Sequence, residues 1–127
     1  MIYRIEARAG GISLSKNIIG RIVVESIGKF RDKALLSNHK GKVRKIEASS
    51  DAVGIMDINM GPQGLDLRVY VVIKFGASIG IVTNGLIEEI YTRTKELTGL
   101  EPNSVAVIVT GMVSKRQTAR RNIEVKR

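Results

Sequence analysis

The clearest pattern of hydrophobic and polar positions lies between Leu65 and Met112. It begins with apolar residues at every second position, a period of two that predicts a β-strand with one buried face. One face of this predicted strand consists of Leu65, Leu67, Val69, Val71, Ile73 and Phe75, and the other of Asp66, Arg68, Tyr70, Val72 and Lys74.

A helix is predicted after this strand. Apolar residues recur there at spacings of three and four, which is typical of a helix with one buried stripe. The stripe consists of Ile79, Val82, Leu86, Ile87, Ile90, Tyr91, Thr94 and Leu97. Ser78 can cap the start, Gly99 can end the helix as a left-handed cap, and Pro102 blocks its continuation. The run from Ser104 to Gly111 is apolar on both faces and predicts an interior strand.

The preceding half of the chain completes an α+β pattern. Residues 2–8 predict a weak first strand, and Ser15 caps a helix whose apolar stripe ends at Phe30. Residues 53–60 predict a strand, which the turn signal Gly61–Gly64 joins to the strand after it as a hairpin. The predicted order is β(weak)-α-β-β-α-β. We expect a two-layer α+β sandwich, with a mainly antiparallel sheet and helices on one face.

Charge divides the chain of 127 residues into a compact body and two basic segments. Residues 31–45 and residues 114–127 each hold six basic residues against one acidic residue, so together they hold all of the net charge of +9. We therefore predict one α+β domain over residues 1–113, which includes a basic mobile loop at residues 31–52, and a basic C-terminal tail at residues 114–127.

These two segments contain the candidate site residues. Clustered lysine and arginine attract polyanions through counterion release, and the ligand can be nucleic acid, anionic lipid or an acidic protein surface. The alternative is that the loop and tail are solvated and only aid solubility. The candidate residues for binding a polyanion or partner are Lys40, Lys42, Arg44, Lys45, Lys115, Arg116, Arg120 and Arg121.

Composition excludes several other classes. The chain has no cysteine, so disulfides, thiolate catalysis and cysteine metal sites are excluded, and a reducing compartment is indicated. No apolar run approaches the ~18 residues of a membrane span, and the N-terminal residues lack the apolar middle of a signal peptide. These features predict a cytoplasmic protein.

The sequence contains few candidates for catalytic residues. His39 is the only histidine, and a single histidine in a basic loop indicates neither a general base nor a zinc site. Asp57 and Asp66 flank the hairpin turn and could act as a carboxylate pair in an enzyme. The better interpretation is that they are strand-surface carboxylates beside Arg68 and Lys74. We predict no catalytic residue, no metal and no cofactor.

Four short motifs follow one another in the second half: Leu65-Asp66-Leu67-Arg68-Val69-Tyr70-Val71-Val72, Phe75-Gly76, Leu97-Thr98-Gly99-Leu100 and Val105-Ala106-Val107-Ile108-Val109. They resemble the "VDL-x-VVV" strand, "YG" break, "TGL" cap and "VNV-x-V" strand of the alkaline-shock-protein family of envelope stress response proteins of Gram-positive bacteria. Gly11-Ile12-Ser13-Leu14-Ser15 with Ile18-Ile19 also resembles the family's opening into its first helix. The chain departs from the family pattern at three positions: Phe75 occurs where tyrosine is usual, Gly80 where proline is common and Ala106 where asparagine is common.

The resemblance implies a function that the composition alone does not. Family members are small cytoplasmic proteins associated with cell-envelope homeostasis, without known enzymatic activity, and some are held at the membrane by a separate anchor protein. We therefore expect a non-catalytic scaffold or adaptor that binds a protein partner, such as a membrane-anchoring protein, with self-association as a further expectation. It would lie in the cytoplasm, with peripheral contact to the inner face of an anionic membrane. The alternative is a nucleic-acid-binding module that uses the basic loop and tail.

Overall fold

The computed structural model describes residues 3–5, 12–14, 16–43, 46, 48–61, 64–113 and 118–126. The elements in these residues, in chain order, are β1 (Tyr3–Ile5), β2 (Ile12–Leu14), α1 (Lys16–Gly28), β3 (Ala34–Leu36), α2 (Ser49–Val53), β4 (Asp57–Gly61), β5 (Gly64–Lys74), α3 (Ile79–Thr98), β6 (Ser104–Val113) and β7 (Thr118–Lys126).

The main sheet has the order β3-β5-β6-β7, and β4 also pairs with β5. Strands β3 and β4 lie one after the other along the same edge of β5, because β6 occupies its opposite edge. The pair β5–β6 is parallel and is joined through α3, whereas the other pairs of the main sheet are antiparallel. The separate strands β1 and β2 also pair antiparallel. The predicted mainly antiparallel α+β fold is confirmed.

The hydrophobic core lies between the helices and one face of the sheet. It contains Ile19, Ile22 and Val23 of α1 and Val82, Leu86, Ile87 and Ile90 of α3, with Leu65, Leu67, Val69, Val71 and Ile73 of β5 and Val105, Val107 and Val109 of β6. These strand residues are separated by two, so the period-two pattern placed them correctly on the core face. The interior position predicted for β6 is also confirmed, since this strand lies between β5 and β7.

The predicted ends of α3 are confirmed by their hydrogen bonds. The Ser78 hydroxyl accepts a hydrogen bond from the Ile81 backbone N–H at 3.3 Å, which satisfies one free donor of the first turn. Gly99 has a φ of 76°, and its N–H donates to the Lys95 carbonyl at 2.8 Å. The helix therefore begins and ends at residues that the sequence indicates. Ser15, predicted to cap α1, lies outside the described residues.

Two residues predicted for the buried stripes are exposed. Phe75 is 63% exposed because β5 ends at Lys74, so the alternation no longer holds at the residue after it. Leu97 is 64% exposed because it lies beyond Thr94, the last buried residue of α3. On the opposite face of β5, Val72 is fully buried rather than solvent-facing.

The predicted loop and tail contain strands that the sequence pattern does not reveal. Ala34–Leu36 form β3 within the predicted loop at residues 31–52, Ser49–Val53 form α2 across the end of that loop, and β4 begins only at Asp57. We predicted a basic tail for residues 114–127, but Thr118–Lys126 form β7 at the edge of the main sheet. Strands β3 and β7 take their conformation from pairing with β5 and β6, which the local sequence pattern does not encode.

Candidate functional site

The face of the sheet opposite the helices contains an open polar cleft. Strand β4, strand β5 and the start of β6 contribute to it, because alternate residues of neighbouring strands lie on the same face. The cleft has a volume of ≈ 540 Å³ and is lined by Asp57, Asn59, Asp66, Leu67, Arg68, Asn103, Ser104 and Ala106. A cleft with this many charged and amide groups suits a polar partner rather than an apolar ligand.

Beside this cleft, Asp57 and Tyr70 form a hydrogen bond across the sheet. The Tyr70 hydroxyl donates to Oδ2 of Asp57 at 2.5 Å. Burial raises the pKa of Tyr70 from its ordinary value of 10.0, and the hydrogen bond to the Asp57 carboxylate raises it further. The phenol is therefore the hydrogen-bond donor near neutral pH. The sequence placed Tyr70 on this face but gave no signal for its pairing with Asp57, which is 13 positions away.

Asp66 connects β5 to the beginning of β6. Its Oδ1 accepts hydrogen bonds from Asn103 Nδ2 at 2.9 Å and from the Ser104 hydroxyl at 2.6 Å. The Asn103 backbone N–H also donates to the Leu65 carbonyl at 2.8 Å. The Asp66 carboxylate therefore helps to set the position where the chain enters β6.

The predicted interpretation of Asp57 and Asp66 as strand-surface carboxylates fits this geometry. Asp57 lies opposite Arg68 in the β4–β5 register, and Asp66 lies opposite Asn59, so the two carboxylates occupy diagonal positions on one face. Each accepts a hydrogen bond from a neighbouring side chain. Within the described ranges, no group of three or more histidine, cysteine or acidic residues could hold a metal ion.

Next to the polar cleft, residues 37–43 fold back over the same face of the sheet. Ser37 forms an isolated bridge with Val43, and Oδ1 of Asn38 accepts hydrogen bonds from the backbone N–H groups of Lys40 and Lys42, both at 2.9 Å. The His39 ring meets the Tyr70 ring edge-on, with 6.3 Å between the ring centroids. This segment, which we call the 37–43 turn, is thus attached to the sheet at its base and through His39.

The candidate basic residues are only partly located by the structure. Lys40 and Lys42 are exposed on the 37–43 turn, and the backbone of Arg120 and Arg121 belongs to β7. Arg44, Lys45, Lys115 and Arg116 lie outside the described residues. The proposed binding by these eight residues remains a prediction.

A second polar feature joins the two long helices on the opposite side of the molecule. Arg93 of α3 pairs with Glu25 of α1 at 3.0 Å and with Glu89 in its own helix, as the four-residue spacing of Glu89 and Arg93 predicts. Lys29, the residue directly after α1, also pairs with Glu89, at 2.9 Å. These contacts tie α1 to α3 and explain the charged outer faces of both helices.

Comparison with known proteins identifies a family. The sequence model of the alkaline shock protein family matches residues 4–114, and the family is described as having a cell envelope-related function. Comparison with curated proteins and with solved structures gives no match. In the described part of the chain no helix is both long and apolar enough to cross a bilayer. Since the family match extends over most of the sequence, the chain belongs to the alkaline shock protein family, whose function relates to the cell envelope.

Proposed function

We propose that this protein is a non-catalytic scaffold or adaptor of the envelope stress response that binds a protein partner. The observation that carries this proposal is the match of residues 4–114 to a family with a cell envelope-related function. The proposed partner is a membrane-anchoring protein, which would hold this chain at the inner face of the membrane, and self-association is a second mode of assembly.

The polar cleft supports binding rather than catalysis. Its two carboxylates accept hydrogen bonds that fix neighbouring parts of the fold: Asp57 from Tyr70 and Asp66 from Asn103 and Ser104. A general base must reach a substrate proton, and carboxylates used in this way are poorly placed to do so. The same open, polar surface offers donors and acceptors to a partner backbone or side chain.

The exposed lysines of the 37–43 turn support an additional contact with an anionic surface. Asn38 accepts hydrogen bonds from the backbone N–H groups of Lys40 and Lys42, so both exposed lysines belong to one ordered turn. Near an anionic membrane each lysine contributes about 1 kcal/mol, which gives weak and reversible association. We assign the remaining candidate residues, Arg44, Lys45, Lys115, Arg116, Arg120 and Arg121, to the same role.

Chemical cross-linking in cells, followed by purification of the tagged protein, tests the protein-partner proposal. We expect a membrane-embedded protein to be recovered, and we expect Asn59→Arg, which places a bulky cation in the polar cleft, to reduce its recovery. Asn84→Arg is the matched control, since Asn84 is exposed on α3 away from the sheet. Failure to recover any specific protein would contradict the proposal.

Sedimentation with vesicles tests the membrane contact. We expect the protein to pellet with anionic but not with neutral vesicles, and Lys40→Glu with Lys42→Glu to weaken this binding relative to Lys16→Glu, a control at an exposed lysine of α1. Equal pelleting with both vesicle types would remove the lipid contact. Salt-dependent binding of RNA that the same paired variant weakens would favour the nucleic-acid alternative instead.

A further inference from the structure

Two large apolar side chains are exposed beside one cleft at the turn between β5 and α3. Phe75 is 63% exposed and Ile81 is 71% exposed, and both line this cleft of ≈ 480 Å³. Val82, which is buried in the core, also contributes to its wall. We call this the 75–81 cleft. Contiguous apolar groups at a concave surface are typical of a protein-binding site, whereas single scattered ones are not.

The local backbone holds these side chains in place. The Phe75 N–H donates to the Val113 carbonyl at 2.8 Å, which ties the turn to the end of β6. Gly76 follows with a φ of 92°, a conformation that other residues rarely adopt, and the Ala77 N–H donates to the Lys74 carbonyl at 3.1 Å. The exposed ring therefore lies on an ordered turn, so little conformational entropy of this turn is lost when a partner binds.

The charges around the 75–81 cleft have a positive balance. Lys33 and Lys74 both line it, and they are neighbours because the Lys74 N–H donates to the Lys33 carbonyl at 2.8 Å. Among the described residues of the lining, Asp32 is the only acidic one. In the described part of the chain, neither lysine side chain forms an ion pair or a hydrogen bond. Two free ammonium groups beside apolar side chains complement an anionic, partly apolar ligand.

We propose that the 75–81 cleft docks a segment of a partner protein in which an apolar side chain is flanked by carboxylates. This inference rests on the proposed function and names the kind of surface that the partner presents. The apolar side chain would enter between Phe75 and Ile81, and the carboxylates would meet Lys33 and Lys74. A protein segment fits better than a bilayer, because a side chain can enter a concave cleft that a flat lipid surface only covers.

Titration of the isotope-labelled full chain with short synthetic peptides, followed by NMR, tests this inference. The first peptide is acidic with one central leucine, the second has serine in place of the leucine, and the third has lysines in place of the acidic residues. We expect only the first to shift the amide signals of Gly76, Ala77 and Ile81. Phe75→Ser and Ile81→Ser should each weaken its binding about tenfold, as truncation of an anchor residue does.

Leu97→Ser is the matched control. Leu97 is 64% exposed, close to the 63% of Phe75. It lies on the same helix as Ile81, near the opposite end. This variant should bind the acidic peptide as the unaltered protein does. Reversal of charge in Lys33→Glu with Lys74→Glu should weaken binding about tenfold as well, whereas Lys16→Glu should leave it unchanged.

Several results would overturn the inference. They are the absence of signal shifts at millimolar peptide, equal binding of the serine peptide, or shifts that Leu97→Ser abolishes. Shifts of the same amides by phosphatidylglycerol vesicles, without peptide binding, would assign the cleft to lipid instead. If a partner is recovered from cells but no peptide binds here, only this inference fails. If no partner is recovered, the proposed function fails.

Discussion

The hydroxyl groups of Ser37 and Thr110 lie 2.7 Å apart in a buried hydrogen bond between residues 73 positions apart in the chain. The Thr110 hydroxyl donates in turn to the Val71 carbonyl at 3.1 Å, where the register of β5 against β6 shifts between Val71 and Val72. Thr110 is the extra residue of this bulge, since Val71 pairs with Val109 and Val72 with Gly111. The base of the 37–43 turn is thus fixed to an irregularity in the centre of the sheet.

We expect Thr110→Val to lower the free energy of unfolding by about 1–3 kcal/mol, because the Val71 carbonyl and the Ser37 hydroxyl both lose a buried partner. Ser37→Ala should cost less, because Thr110 keeps its bond to Val71. In the double variant the two costs should not add, since the residues share one hydrogen bond. Urea denaturation of the four proteins measures this coupling, and strictly additive costs would show that the hydrogen bond contributes nothing.

Gly41→Ala tests how closely the 37–43 turn approaches the sheet. Gly41 has a φ of 89°, and a Cβ atom there would lie 3.3 Å from the Thr110 carbonyl oxygen. The strained backbone and the close contact should together destabilise the protein by about 1–2 kcal/mol. Gly28→Ala is the control, since nothing lies within 4 Å of a Cβ atom there. Similar midpoints for both variants in urea denaturation would show that the turn relaxes without cost.

Glu89 should make the stability of the fold depend on pH in the acid range. Hydrogen bonds from Lys29 and then from Arg93 lower the pKa of Glu89 below its ordinary value of 4.5. Because the folded pKa lies below the unfolded one, the stabilisation is present above about pH 4.5 and is lost as the pH falls through the folded pKa. Glu89→Gln should cost about 0.5–1 kcal/mol at neutral pH, after allowance for solvent screening, and nothing at strongly acid pH.

Glu96→Gln provides the control for Glu89. Glu96 is exposed on α3 and forms no ion pair within the part of the chain that the structure describes. Glu96→Gln removes a carboxylate from the same helix without breaking an ion pair within the described residues, so it should cost little at neutral pH. If Glu89→Gln gives the same pH profile as Glu96→Gln, the ion pairs of Glu89 with Lys29 and Arg93 do not stabilise the fold.

Tyr70 should make the stability of the fold depend on pH in the alkaline range. Burial and the Asp57 carboxylate raise the pKa of Tyr70 above 10.0 in the folded protein, so its stabilising effect is present below pH 10.0 and is lost as the pH rises through the folded pKa. Tyr70→Phe should cost about 1 kcal/mol at neutral pH, through loss of the hydrogen bond, and this difference should disappear at high pH.

The ultraviolet absorbance of tyrosinate measures the titration of Tyr70 directly, as the difference between the unaltered protein and Tyr70→Phe. Asp57→Asn should lower the pKa of Tyr70, because the raising effect of the carboxylate is lost. An unchanged titration in Asp57→Asn would mean that the carboxylate does not act on the phenol.

The success of the sequence predictions follows from how local each signal is. The period of β5 and the caps at Ser78 and Gly99 depend on neighbouring residues, and all three agree with the structure. The strands β3 and β7 depend on distant partners, and no pattern in the sequence revealed them. Phe75 shows the limit of a periodic signal, since the alternation continues one residue beyond the strand.

The candidate site was predictable only in part for the same reason. The alternation placed Asp66, Arg68 and Tyr70 on the face opposite the core, and it left Asp57 and Asp66 as surface carboxylates. It gave no sign that Tyr70 meets Asp57, or that Asn103 and Ser104 enclose Asp66, because these contacts cross between strands. The exposure of Phe75 was concealed because it continues the alternation of β5, whereas Ile81 lies outside the apolar stripe predicted for α3.

By itself the sequence determined the α+β class, the two long helices, the core faces of β5 and β6, and a resemblance to the family that residues 4–114 match. The class, the helices and the core faces follow from the spacing of apolar residues and from capping, which act over a few positions. The resemblance rests on the ordered motifs. Only the tertiary structure decided the strand order, the parallel pairing of β5 with β6, and the attachment of the 37–43 turn at Thr110. These depend on hydrogen bonds between residues far apart in the chain, and spacing alone does not encode which distant groups meet.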